Sequence, residues 1–522
     1  MPSLGLKVSL SIVVSLLVGC APSGPLRKAD QATLSNTTAD KCQSNYADSD
    51  REIYKIATDF KKSNSDRNEF LKQEAKKIPA NEPCWTTAFE QHQNFDLLYA
   101  EFDDEGNATD VAKSASFKDS EFQLIETEIP KLLAEHGSLN IVVFTHGWHG
   151  NARADNDYSI EFKGLLMDIA KREESLARER GPSVTSAVGI NPQKPFRTVG
   201  IEVAWRGDSF DTYVNVWDRK LAADTISKGA VHELFAFLNQ FYLDNSCHGT
   251  RAASGTSCQK VHMLSVGHSF GALIDFQAFV GRLEQGLNVN PCDRAYGFGD
   301  MTILLNPAFE GTRYRPLFNT AINRPAIWGP YFGDDNSGNK CERGAYAAKA
   351  GPQVPTVVTL QSMGDWATGK TFPIFRWVST RFAQTLSAEE SYEQIHALGW
   401  VPAFRTHTLT VASNGTSHDS CVNSTNSSGL ELPKSFCPFS DELIASAYPP
   451  PSSKFEFLVL TFDPAGIKPP PPDYFPVWSV AVDKSIMVDH DDFWNPEIVR
   501  LIGILFADAY EQSQQLHGPP KP

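Results

Sequence analysis

The stretch Val261–Phe279 constrains the fold more than any other part of this 522-residue chain. An apolar run, Val261–Val266, leads into Gly267-His268-Ser269-Phe270-Gly271, and apolar residues at helical spacing follow. This pattern predicts a buried strand, a tight turn and a helix. The pentapeptide has the form G-x-S-x-G, in which the two glycines remove Cβ atoms that would clash in a strained turn. Such a turn holds the Ser269 hydroxyl at a helix N-terminus, where backbone N–H groups favour a developing negative charge.

Apolar runs and helical spacing alternate along the rest of the chain. The intervening helical patterns cover 122–133, 158–180 and 217–242, and the second of these predicts a long surface helix. This alternation predicts an α/β fold with a mostly parallel, doubly wound central sheet. The predicted strands are 95–102, 139–144, 197–205, 301–305, 355–360 and 477–482, with 455–462 as an additional candidate.

Three predicted strands end in loops that carry polar groups. The strand 139–144 runs into Thr145-His146-Gly147-Trp148, and the strand 355–360 leads to Gly364-Asp365. His490 lies between the last predicted strand and a terminal helical pattern. Functional groups collect at the carboxyl ends of strands in parallel sheets, so these loops are candidate parts of one site.

Gly267-His268-Ser269-Phe270-Gly271 after a buried strand resembles the nucleophile elbow of the α/β-hydrolase superfamily, and it looks like the GHSxG of serine esterases and lipases. The resemblance implies an α/β-hydrolase fold with helices on both sheet faces, over about residues 95–516, and no cofactor. It also implies Ser269 as nucleophile, Asp365 as the acid and His490 as general base, in the chain order of that superfamily. The oxyanion hole would be formed by the backbone N–H groups of Trp148 and Phe270, and the supporting loop residues would be His146, Gly147, Gly267, His268 and Gly271.

Rival residues exist for two members of this triad. Asp300 could replace Asp365, but it precedes its predicted strand, and His407 or His418 could replace His490, but neither lies between a strand and a long terminal helix. Three carboxylates surround His490 and are expected to raise its pKa, namely Asp489, Asp491 and Asp492.

The N-terminus has the pattern of a secretory signal, with Lys7 before the apolar stretch Val8–Val18. Leu17-Val18-Gly19-Cys20 resembles a bacterial lipobox, which implies removal of residues 1–19 and lipidation of Cys20. An ordinary signal peptide cleaved near Ala21 is the alternative. By resemblance to lipoprotein sorting, Ala21 favours the outer membrane. Residues 20–41 are polar and turn-rich, which predicts a flexible tether between a membrane anchor and the body.

Charge and cysteine content limit the classes of partner and compartment. The net charge of −15 argues against nucleic acid as a partner. Eight cysteines follow Cys20, an even number typical of an oxidising compartment. They allow 105 pairings, and none has the spacing of metal ligands. They are Cys42, Cys84, Cys247, Cys258, Cys292, Cys341, Cys421 and Cys437.

The sequence predicts no specific function for two segments. Residues 42–94 form an N-terminal extension of mixed, partly helical pattern. Residues 371–476 interrupt the strand and helix alternation with proline-rich and asparagine-rich pieces. An insertion of this kind is either a cap or lid over the site or surface decoration.

Together these features predict a membrane-anchored hydrolase of carboxylic esters, with small-molecule or lipid esters as substrates. Acyl transfer, thioester cleavage and peptide cleavage remain alternatives because they use the same triad. A non-catalytic binding lipoprotein of the envelope is the alternative from another class. The sequence does not indicate an oligomeric state.

Overall fold

A computed structural model describes most of the chain. The described residues are 25–28, 36–59, 63–79, 82–109, 120–179, 194–207, 216–246, 260–288, 295–323, 354–411, 458–462, 467 and 475–515. The predicted signal, Cys20, His418 and the six cysteines from Cys247 to Cys437 lie outside these residues.

The described residues form a ten-stranded sheet at the centre of the protein. The strands are β1 (Phe89–Gln91), β2 (Phe95–Phe102), β3 (Leu139–Thr145), β4 (Arg197–Trp205), β5 (Val261–His268), β6 (Met301–Leu305), β7 (Val357–Ser362), β8 (His407–Val411), β9 (Leu458–Phe462) and β10 (Val477–Val482). Their spatial order is β1-β2-β4-β3-β5-β6-β7-β10-β8-β9. The eight strands from β2 to β8 in this order run parallel, and one antiparallel strand, β1 or β9, closes each edge.

Helices cover both faces of this sheet, because successive residues of a strand point to opposite sides. On β3, Ile141 and Val143 join the core on one face, whereas Val142 and Phe144 join the core on the other. The first face carries α4 (Glu121–His136), α6 (Val216–Ile226), α7 (Val231–Asn245), α8 (Phe270–Leu287) and α9 (Gly311–Ile322). The second face carries α5 (Asp157–Glu179) and α12 (Pro496–Gln515). The predicted α/β fold with a mostly parallel sheet is thereby confirmed.

The helices after β3 and β5 leave the sheet on opposite faces. These two strands are neighbours, and β3 continues to α5 on one face while β5 continues to α8 on the other. Open α/β sheets bind ligands at the carboxyl ends of such neighbouring strands, so this edge of the sheet is the expected place of a site.

The N-terminal extension packs against the body. Two helices, α1 (Asn36–Ala57) and α2 (Asn64–Lys77), cover α5, so α5 is not the surface helix that its charge pattern predicts. The short α3 (Pro83–Thr86) precedes β1, and β1 pairs with β2, so the expected boundary between residues 94 and 95 falls inside a strand pair. A disulfide joins Cys42 in α1 to Cys84 in α3.

Part of the expected tether, residues 20–41, packs against the body of the protein. Arg27 is 1% exposed, and its guanidinium lies 2.9 Å from Glu90, which is also within 2.9 Å of Lys163 and His92. The backbone N–H groups of Leu26 and Arg27 donate to Glu101, near the carboxyl end of β2. A buried ion-pair cluster therefore fixes this segment to the sheet, and the cations of the cluster hold the pKa of Glu90 well below its usual range despite burial.

Two further expectations differ from the structure. The pattern 217–242 forms two helices, α6 and α7, joined by a turn that packs on the loop after β2, where a Cβ on Gly229 would overlap the backbone of Gly106. The predicted insertion 371–476 is not separate from the sheet, since it contributes β8 and β9 in addition to the short helices α10 (Phe372–Ser379) and α11 (Ala388–Ile395). Among the described helices, none is both long and apolar enough to cross a membrane.

Candidate active site

Ser269 occupies the sharp turn between β5 and α8. Its backbone has φ 55° and ψ −116°, a left-handed conformation that is costly for a residue with a side chain. The turn is fixed on both sides, because Ser269 N–H donates to Leu305 at 3.0 Å and Ala308 N–H donates to the Ser269 carbonyl at 3.1 Å. The side chain thus stands at the first turn of α8, beside the carboxyl end of β3.

Three side chains from distant parts of the chain meet at this turn. His490 Nε2 lies 2.9 Å from Ser269 Oγ, and His490 Nδ1 lies 2.8 Å from Asp365 Oδ2. A carboxylate can only accept, so Nδ1 carries the proton and Nε2 of the neutral ring accepts from the serine hydroxyl. The order Ser269, His490, Asp365 is therefore a continuous hydrogen-bonded chain.

Asp365 is held as an ionised acceptor. Thr368 donates to it from both its backbone N–H, at 3.0 Å, and its hydroxyl, and Gln361 Nε2 donates at 3.1 Å. Burial alone would raise the pKa of Asp365, but His490 and Thr368 outweigh burial and lower that pKa to about 2. The carboxylate is therefore charged at every pH at which the protein would work.

The His490 ring is the most strongly basic group of the site. Burial lowers the pKa of His490, but the negative charges of Asp365, Asp491 and Asp489 outweigh burial and raise that pKa to about 9. Asp492, the third carboxylate expected to act on the ring, accepts from Val488 N–H at 2.8 Å and lies 3.9 Å from the Arg67 guanidinium.

The loop after β3 lies directly against the serine. A Cβ on Gly147 would lie 2.9 Å from Ser269 Cβ and 2.8 Å from His268 Nδ1, so only glycine fits at this distance. The His146 side chain holds this loop through two hydrogen bonds. Its Nδ1–H donates to the Gly147 carbonyl at 2.9 Å, and its Nε2 accepts from Trp205 N–H at 3.1 Å. Burial lowers the pKa of His146 to about 4, so the ring is neutral.

The start of α8 packs equally closely on the end of β3. A Cβ on Gly271 would overlap the carbonyl oxygens of Thr145 and His146, and one on Gly267 would lie 2.7 Å from Ala272 Cα. Phe270 N–H is the first amide of α8 and has no acceptor four residues earlier within the helix. Phe270 directly follows Ser269, and Trp148 directly follows Gly147, which contacts Ser269.

Asp275 joins the two strands behind the serine, and the sequence did not single it out. It is fully buried and accepts from Thr145 Oγ1 at 2.5 Å and from Ser265 Oγ at 3.1 Å. Burial raises the pKa of Asp275 to about 7. This carboxyl group fixes the spacing of β3 and β5 at the site.

The described rival residues lie elsewhere. Asp300 is at the amino end of β6, where it accepts from Tyr242 Oη at 2.8 Å and Met263 N–H at 2.7 Å. His407 is buried in β8, where its ring packs on Trp478 at 4.3 Å. His418 lies outside the described residues.

Three possible metal ligands come together in the described part of the chain. Donor atoms of His268, His490 and Asp491 lie within 4.8 Å of one another. Both ring nitrogens of His490 are already engaged by Asp365 and Ser269, so a cation at this position would compete with the hydrogen-bonded chain.

Comparisons with known proteins add no family to these observations. The chain matches no protein-family model, no curated protein and no solved structure. The residues of the site and their geometry are therefore the basis for its function.

Proposed function

We propose that this protein is a serine hydrolase of carboxylic esters. The observation that carries the proposal is the hydrogen-bonded chain from Ser269 through His490 to Asp365, with Ser269 on a strained turn at a helix N-terminus. A binding protein requires neither the strained serine nor the buried carboxylate behind the histidine. The same features support an α/β-hydrolase fold, in which strand, nucleophile turn and helix have this arrangement.

The geometry supports nucleophilic catalysis with general acid and base assistance. His490 Nε2 takes the proton of Ser269 Oγ as the oxygen attacks the ester carbonyl, and it then returns a proton to the leaving alcohol. Asp365 keeps the other ring nitrogen protonated and stabilises the imidazolium. Water then repeats the cycle on the acyl-enzyme, which releases the acid and restores Ser269.

Stabilisation of the tetrahedral oxyanion is assigned to two backbone amides. Phe270 N–H follows the nucleophile and belongs to the first turn of α8, and Trp148 N–H lies on the loop that contacts Ser269. Each donor of this kind lowers the barrier by about 3 to 4 kcal/mol. The proposed chemistry uses only these protein groups, with no cofactor.

Apolar surface near the triad favours an ester with an apolar acyl group. Trp366, next to Asp365, is 59% exposed, and Val488, close to His490, is 50% exposed. The face of α10 adds exposed Ile374, Trp377 and Val378. Residues 371–411 would then serve as part of a cap beside the substrate.

The proposed location is the bacterial cell envelope, with lipid on Cys20. The signal pattern and lipobox-like residues support it, and the Cys42–Cys84 disulfide is typical of an oxidising compartment.

Labelling with a fluorophosphonate tests the proposal directly. The phosphonate phosphorus forms a bond with Ser269 Oγ as fluoride leaves, and this requires an activated serine. We expect the purified protein to be labelled once, on the peptide that contains Ser269, and to hydrolyse p-nitrophenyl acyl esters. An unlabelled protein without esterase activity would refute the proposal and favour the binding lipoprotein.

The pH dependence of ester hydrolysis provides a second test. Only neutral His490 accepts the serine proton, so kcat/KM should rise with pH up to an apparent pKa near 9. Replacing both Asp489 and Asp491 by asparagine removes negative charge beside the ring, and the acid limb should therefore move to lower pH. Asp483→Asn is the control, because Asp483 lies in the same loop but bonds to Ser485. An unchanged limb in the double variant would exclude these carboxylates as the cause of the raised pKa.

A further inference from the structure

The backbone carbonyl of His490 is held by two side chains from other elements. Asn306 Nδ2 donates to it at 2.8 Å, and His268 Nε2 donates at 3.0 Å. Both side chains are fully buried. The loop that carries His490 otherwise has exposed residues on each side, Val488, Asp489 and Asp491. Two buried side chains therefore hold the backbone of His490 and, through it, the position of the imidazole ring.

The other end of Asn306 reaches the strand that carries the acid. Its Oδ1 accepts from Ser362 N–H at 2.8 Å and from Gln361 Nε2 at 3.3 Å. Ser362 in turn donates from Oγ to the Met487 carbonyl at 2.6 Å. One asparagine thus connects the end of β7, just before Asp365, with the loop of His490.

The backbone of Asn306 is adapted to this position. It has φ 42°, which asparagine tolerates better than most residues, and its N–H donates to Leu360 at 2.9 Å. The residue follows β6 directly, between the strand of Ser269 and the strand before Asp365.

His268 can act here only as a donor. Its Nε2 faces a carbonyl oxygen and so carries the hydrogen. Within the described residues Nδ1 has no hydrogen-bond partner and lies against Gly147. Burial and the neighbouring His490 hold the pKa of His268 well below its usual range, and the ring stacks on Phe493 at 3.8 Å. The neutral ring of His268, the residue before the nucleophile, is thus hydrogen-bonded to the backbone of His490.

We propose that Asn306 and His268 are positioning residues that hold the His490 carbonyl and thereby aim the imidazole between Asp365 and Ser269. The proposal rests on the hydrolase function proposed above. A displacement of about 1 Å at a catalytic group can cost roughly a hundredfold in rate, so two such bonds can control activity without touching substrate.

The test uses Asn306→Gly in the full-length protein, because glycine accepts the positive φ while the side-chain bonds to His490, Ser362 and Gln361 are lost. We expect kcat to fall by roughly tenfold to a hundredfold with KM changed by less than about twofold. The pKa of His490, measured from the ring resonance that disappears in His490→Ala, should fall as the contact with Asp365 loosens. Asn140→Gly is the matched control, since it changes a buried asparagine at the amino end of β3 and should lower stability without altering kcat.

A pair of variants at His268 provides an independent arm. His268→Phe keeps the ring stacked on Phe493 but has no donor, whereas a glutamine places an amide N–H near the former Nε2. We expect His268→Phe to lower kcat as Asn306→Gly does, and His268→Gln to restore part of the loss. If Asn306→Gly does not fold, this pair decides the question.

The outcomes separate the two proposals. If the unmodified protein reacts with fluorophosphonate but Asn306→Gly and His268→Phe keep both its kcat and its His490 pKa, the positioning role is wrong and the hydrolase function stands. If the unmodified protein does not react, the function fails, and the His490 pKa still tests the positioning role. An unchanged pKa in both variants would then overturn it.

Discussion

Replacement of Ser269 by alanine is expected to lower kcat/KM for p-nitrophenyl esters by roughly 10⁴- to 10⁶-fold and to abolish fluorophosphonate labelling. The hydroxyl is the only atom of the site that can form the acyl-enzyme, so its loss removes the covalent route. The residue that remains has one atom fewer in an otherwise unchanged turn, and the thermal unfolding temperature should stay near that of the unmodified protein.

Ser265→Ala is the matched control for that experiment. Ser265 is a buried serine on β5, the strand that leads to Ser269, and its hydroxyl donates to Asp275 at 3.1 Å. It should lose some stability and retain labelling. Substantial esterase activity in folded Ser269→Ala would show that another residue is the nucleophile. Esters of graded chain length, assayed on the unmodified protein, separate a preference for short acyl groups from one for long acyl groups.

Replacement of Asp365 by asparagine is expected to lower kcat by about 10⁴-fold with little change in KM. An asparagine amide that donates to Nδ1 favours the tautomer with hydrogen on Nε2, and that nitrogen could then no longer accept the proton of Ser269. The pKa of His490 should also fall, because the strongest of the neighbouring charges that raise it has gone.

Asp300→Asn is the control for this experiment, because it removes the charge of a buried carboxylate that does not bond to His490. Asp300 is also buried and hydrogen-bonded, but at the amino end of β6. Its variant should unfold at lower temperature and keep kcat. If Asp365→Asn retained kcat while Asp300→Asn lost it, the choice of acid made from the sequence would be wrong.

Local patterns in the sequence predicted much of the fold. The strands β2, β4, β6 and β10 have the predicted limits, since each is a short apolar run between turn residues. The three side chains that form the hydrogen-bonded chain were selected from their places at strand ends together with the resemblance of Gly267–Gly271 to a nucleophile elbow, and a parallel sheet brings those strand ends to one edge. Whether they catalyse ester hydrolysis stays a prediction.

Contacts between residues that are far apart in the sequence could not be predicted from local patterns. Thr368 follows Asp365 by three residues, a spacing at which a carboxylate can accept the backbone N–H, so this contact had a local signal. The sequence signal at Asn306 was weak. Its partner His490 is 184 residues away, and an asparagine before a proline is typical of an ordinary turn. The ion pair of Arg27 with Glu90 was hidden for the same reason.

The buried Arg27 has a consequence for where the protein can work. Pro25 and Leu26 lie at the carboxyl edge of the sheet, the edge that carries Ser269. With lipid on Cys20 as proposed, the five peptide units to Pro25 span at most about 18 Å. Ser269 would then remain close to the bilayer surface. Esters dissolved in that bilayer would meet the serine at a high effective concentration, and esters in bulk water would gain nothing from the anchor.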